Sequence, residues 1–82
     1  MGYTAIVDYG VGNLKSIANA MAYLGERTLI AGDEAGLEKA DAIILPGVGA
    51  FPDAADRLRA AGLDGVIVRQ AEKKPVLGIC LG

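Results

Sequence analysis

The 82-residue chain has no histidine, no tryptophan, a single cysteine and only four aromatic residues, Tyr3, Tyr9, Tyr23 and Phe51. Each shortage excludes something. One Cys cannot close an internal disulfide. Without His, a tetrahedral Cys/His zinc site has no ligand set, and neither a metal nor a cofactor is expected. The commonest general base is also missing, so a Cys-His or Ser-His hydrolase cannot be complete within these residues. Basic residues number 8 against 10 acidic ones, a net charge of −2, where a nucleic-acid binder needs a basic stripe. No apolar run approaches the roughly 20 residues of a membrane span. The first eight residues lack a basic n-region and reach Asp8 too early for a signal peptide. Ile6 stands where a myristoylation signal carries Ser or Thr. The expectation is a reducing cytoplasm, with Cys80 as a free thiol.

What is present suits one small globular domain over residues 1–82, with 52% hydrophobic and 22% charged residues. A chain of this size buries only a little over ~60% of its unfolded surface, so marginal stability is expected. Short apolar runs alternate with helix-period stretches, the βαβ pattern. Thr4–Val7 reads as a first strand. Asn13 is a candidate N-cap, and Leu14, Ile17, Ala18, Met21 and Leu24 share one helix face, with Gly25 as its terminator. Thr28–Ala31 reads as a second strand, and Asp33–Lys39 as at most a short helix held by Leu37 and Ala40. The unbroken run Ala42–Leu45, stopped by Pro46, suits a parallel strand buried on both faces.

Pro52 fits the first turn of a helix continued by Ala55, Leu58 and Ala61 or Gly62. Leu63, Val66, Ile67 and Ala71 again match helical spacing, although the β-branched Val66–Val68 also reads as a strand. Lys73 and Lys74 read as a solvated helix end, and Asp53, Asp56, Arg57 and Arg59 as an exposed charged face. Val76–Ile79 is a fourth strand. Right-handed crossovers then give a three-layer α/β parallel sheet of flavodoxin-like type, an N-terminal part with about four strands.

Ligands of such sheets sit beyond the carboxyl ends of the strands, where three glycine-bearing segments fall. The first, from Tyr9 to Asn13, contains Gly-x-Gly, but Lys15 stands where a dinucleotide fingerprint has its third glycine, so a tight turn is the simpler reading. The second is Leu45-Pro46-Gly47-Val48-Gly49-Ala50-Phe51. The third, Gly78-Ile79-Cys80-Leu81-Gly82, has the form G-x-nucleophile-x-G directly after an apolar strand, a nucleophile elbow with Cys for Ser. The flanking glycines remove Cβ atoms that would clash across so tight a turn. Cys80 then projects into the cleft as the candidate nucleophile, and Leu81 N–H can stabilise an oxyanion. The Gly47–Gly49 segment, through Gly47, Val48 or Gly49, is the natural second donor. A buried, inert Cys80 is the competing reading.

The run Pro75–Gly82 resembles the nucleophile region of class I, triad-type glutamine amidotransferases. Asp8–Ser16 and Leu45–Phe51 are similar to the glutaminase subunits of imidazole glycerol phosphate synthase, and the resemblance runs from Ile6 to Gly82. It implies that Cys80 attacks the carboxamide of glutamine to form a thioester and release ammonia. It also implies a (β/α)8-barrel cyclase subunit as partner, receiving that ammonia for histidine biosynthesis, with Asn13 near the partner interface. The family's catalytic His and Glu have no counterpart within residues 1–82. The chain by itself is therefore expected to lack glutaminase activity, and its exposed fourth strand to favour self-association. Two other readings are open: a different Cys-elbow amidotransferase or chaperone/deglycase-like relative, and a non-catalytic flavodoxin-like half-domain acting as a folding or assembly module.

Overall fold

The structure, a computed structural model, describes residues 2–10, 14–47 and 54–79. Its elements are β1 (Thr4–Val7), α1 (Leu14–Tyr23), β2 (Thr28–Ala31), α2 (Glu34–Glu38), β3 (Ala42–Pro46), α3 (Ala54–Ala60), α4 (Asp64–Ala71) and β4 (Val76–Ile79). The four strands form one all-parallel sheet in the order β2-β1-β3-β4, the flavodoxin-like order. Pro46 belongs to β3 as its last residue, opposite Ile79 and beyond the last β1–β3 pair, Ile6–Ile44.

Alternation along the strands builds the layers. Ile6 and Ile44 point to one face and bury Ile17 of α1, with Leu14, Ala18 and Met21 packed at the margin. Ala5, Val7 and Ile43 point to the other, against Leu37, Ala40, Leu63, Val66 and Ile67. A sheet covered on both faces explains why β3 carries no polar residue. The ends of the sheet order are less covered, with Leu29 and Ile30 of β2 and Leu77 of β4 exposed.

Helix ends account for most departures from the sequence expectations. At the end of α1, Gly25 has φ 82°. Its N–H donates to Ala22 O at 3.0 Å and the Glu26 N–H to Met21 O at 2.9 Å, a Schellman motif. Leu24, expected on the buried face, is therefore the C-cap residue and is 71% exposed. The same device recurs at Gly62, φ 75°. There the Gly62 N–H donates to Arg59 O and the Leu63 N–H to Leu58 O, both at 3.0 Å. Ala61 and Gly62 thus terminate α3 instead of continuing it, and Leu63 leads into α4. Val66–Val68 is helical, with Val68 exposed. Ala71, expected in the core, is exposed. Gln70, one residue earlier and on the face of Leu63, Val66 and Ile67, is buried in its place.

Short α2 is held mostly by polar ties. Asp33 accepts from the Gly36 N–H at 2.9 Å as N-cap, and Tyr3 Oη donates to Gly36 O. Lys74, expected to be solvated, reaches back from the end of α4, and its Nζ donates to Leu37 O at 2.9 Å and Glu38 O at 2.8 Å. These carbonyls lie at the negative end of α2, where a cation is favoured. Lys73 is exposed as expected. Arg69 of α4 also bridges Glu34 of α2 at 3.0 Å.

Candidate active site at the carboxyl ends of the strands

Backbone pairing of β1 with β3 runs from Thr4–Ala42 to Ile6–Ile44 and goes no further. Beyond it, a side chain takes over. The Tyr9 Oη–H, buried, donates to the Pro46 carbonyl at 2.6 Å. Burial pushes the Tyr9 phenol above its ordinary value of 10.0, because the charged form is desolvated. It therefore stays a donor at neutral pH. The next residue, Gly10, has φ 85°, and its carbonyl accepts a long 3.5 Å contact from Arg57 Nη1 of α3.

Across the sheet, β3 and β4 stay in register to their ends, Leu45 opposite Gly78 and Pro46 opposite Ile79. Gly47, buried, then leaves β3 with φ 76°, a left-handed conformation that side-chain-bearing residues adopt only at a cost. The second glycine segment thus opens directly beside the strand that precedes the Cys80 motif in sequence.

Gly47 is the one candidate oxyanion residue among the described residues. Cys80, Leu81, Val48, Gly49 and Asn13 lie outside them, as does the Pro52 helix start. Sequence reasoning missed Tyr9 and Arg57. An aromatic with a polar tip at the end of a buried strand is a signal for an internal hydrogen bond. Arg57 carried no signal beyond its place in an exposed charged run, of which Asp56 and Arg59 do pair, at 2.9 Å. Among the described residues no three His, Cys, Asp or Glu side chains are placed to hold a metal, and no helix is long and apolar enough to cross a membrane. A pocket of about 360 Å³ lined by Gly2, Tyr3, Arg27, Thr28 and Leu29 lies at the opposite, amino ends of β1 and β2.

No family model matches the chain. Curated proteins do. The chain is 51% identical over 79 residues to the imidazole glycerol phosphate synthase subunit HisH of Oceanobacillus iheyensis, covering 95% of the chain and 39% of that subunit. The HisH subunit of Sulfurimonas denitrificans is 52% identical over 79 residues, covering 95% of the chain and 38% of the subunit. That of Methanopyrus kandleri is 49% identical over 78 residues, covering 95% and 39%. The chain spans about two fifths of the length of the curated relatives it matches. About half of its residues are thus identical to those of imidazole glycerol phosphate synthase HisH subunits from three separate organisms, along nearly all of the chain's own length.

Proposed function

We propose that these residues supply the nucleophile and oxyanion part of a glutaminase that feeds ammonia to imidazole glycerol phosphate synthesis in histidine biosynthesis. One observation carries the reading. β3 and β4 end side by side, Pro46 opposite Ile79, so the glycine segment starting at Gly47 and the Cys80 motif issue from neighbouring strand ends. In a parallel sheet this is where a substrate binds.

The chemistry follows from the residue types. The Cys80 thiolate adds to the carboxamide carbon of glutamine, and negative charge collects on the carbonyl oxygen. The N–H of Leu81 and an N–H of the 47–49 segment stabilise that oxygen more in the transition state than in the ground state. Collapse breaks the C–N bond, the nitrogen takes a proton and leaves as ammonia, and a thioester remains. Water then adds to the thioester, giving glutamate and the free thiol. The reaction needs no cofactor. With no His among these 82 residues, the proton carrier comes from outside them. The receiving partner is a (β/α)8-barrel cyclase subunit, with Asn13 near the partner interface, and the site of action is the cytoplasm. The names of the relatives, subunits of imidazole glycerol phosphate synthase, support a role beside a further subunit in making imidazole glycerol phosphate.

The test is glutamine hydrolysis by the full-length protein carrying this sequence, assembled with its cyclase partner. Cys80→Ala is expected to abolish ammonia release, a loss of at least about 10⁴-fold, as for removal of other nucleophiles. Residues 1–82 alone are expected to release none. Undiminished activity in Cys80→Ala sinks the assignment of the nucleophile and returns Cys80 to the role of a packed thiol.

A further inference from the structure

We propose that Tyr9 is a positioning residue for the oxyanion-stabilising segment: through its hydrogen bond to the Pro46 carbonyl it fixes the peptide plane from which that segment departs. The proposal rests on the glutaminase reading and names a residue that reading does not use.

The geometry behind it is local. β3 runs two residues past the last pair it forms with β1, Ile6–Ile44. At Pro46 its backbone is held by β4 on one side and by the Tyr9 hydroxyl, at 2.6 Å, on the other. The carbonyl of Pro46 and the N–H of Gly47 belong to one planar, rigid peptide unit. A bond that fixes the oxygen therefore fixes the plane, and with it the direction in which the chain enters the loop. Gly47 needs such an anchor. A glycine at φ 76° has neighbouring conformations open to it that other residues do not, and an oxyanion donor helps only when it is aimed in advance. The tyrosine is itself well held. Its ring is buried in the larger core cluster with Val7 and Ile43, and Arg57 contacts the carbonyl of the next residue, Gly10.

Packing alone does not require the hydroxyl, because Phe would fill the same space. Tyr9→Phe thus isolates the hydrogen bond. In the full-length protein with its cyclase partner, the variant is expected to lower kcat for glutamine hydrolysis about tenfold, less than the 10²–10³-fold cost of deleting a donor outright. KM for glutamine is expected to stay within about twofold, as for an interaction made only in the transition state. Alkylation of Cys80 by iodoacetamide is expected at the wild-type rate, since that displacement passes through no oxyanion. A wild-type kcat in an otherwise active enzyme overturns the proposal. So does a parallel fall of kcat and alkylation rate, or loss of the native circular dichroism spectrum, either of which assigns Tyr9 to the fold in general. Absence of glutamine hydrolysis in the wild type defeats the glutaminase reading itself, and this proposal with it.

Discussion

One face of the sheet is covered by α1, which buries a single residue of its own, Ile17. The other is covered by α2 and α4, which bury Leu37 and, from α4, Val66, Ile67 and Gln70. Polar ties cross-link that second face: Tyr3 to Gly36, Lys74 to the end of α2, Arg69 to Glu34. Tyr9 belongs to its cluster as well. The contrast shows two ways of fixing a helix on a sheet. A ten-residue amphipathic helix docks through one apolar stripe. A five-residue helix is too short to hold itself, and docks through a central Leu plus hydrogen bonds to its ends. The candidate site takes its anchor from the second, more cross-linked face.

The largest expected effect tests that asymmetry directly. Leu37 has no exposed surface and Ile17 almost none, so either truncation removes a buried aliphatic side chain. Leu37→Ala is expected to cost about 3–4 kcal/mol, because ties on either side keep its surroundings from collapsing. Ile17→Ala is expected to cost about 2 kcal/mol, since the half-exposed Leu14 and Met21 can lean into the space. Urea unfolding of both variants measures the difference, and equal losses would remove the distinction between the faces.

A smaller effect is expected at Lys74. Its ammonium sits on two carbonyls at the partial negative end of α2, so Lys74→Met is expected to cost about 1 kcal/mol. Lys73→Met, one residue away and exposed, is expected to change stability by less than about 0.5 kcal/mol. Thermal unfolding of the pair decides. Matching melting curves would make Lys74 the solvated residue that its sequence context suggests.

That last pair marks where the sequence was legible and where it was not. Thr4–Val7, Thr28–Ala31 and Val76–Ile79 were readable as short apolar runs between turn residues, although burial on both faces accounts for that pattern only in the central β1 and β3. Gly25 announced the end of α1. Gly62 was equally decisive, yet apolar spacing continues across it from Leu58 to Leu63, and spacing alone cannot show that the chain has reversed handedness for one residue. Gln70 hid because helical spacing allows position 70 or 71 and composition favours Ala71. Buried with its Oε1 unpaired among the described residues, it is the polar exception on an apolar face. Of the site, Gly47 was legible as a loop glycine. The bond from Tyr9 to Pro46 spans 37 residues, and no local pattern encodes such a contact.

The smallest expected effect concerns pH and again sets Tyr9 apart. Burial raises its phenol above 10.0, the value it regains when the chain unfolds. The folded state therefore holds a proton that the unfolded state releases once pH passes 10.0. Stability from this group is complete below that pH and falls as pH climbs toward the folded value, by at most about 1.4 kcal/mol per pH unit for one proton. Tyr9→Phe lacks that proton, and every other side chain is common to both proteins. The stability advantage of wild type over Tyr9→Phe is thus expected to be constant near neutrality and to shrink over the range from pH 10.0 upward. Urea midpoints near neutrality and within that range measure it. An advantage independent of pH would mean that the phenol of Tyr9 ionises as readily in the fold as in water, and that the face anchoring the candidate site is open to solvent at its tip.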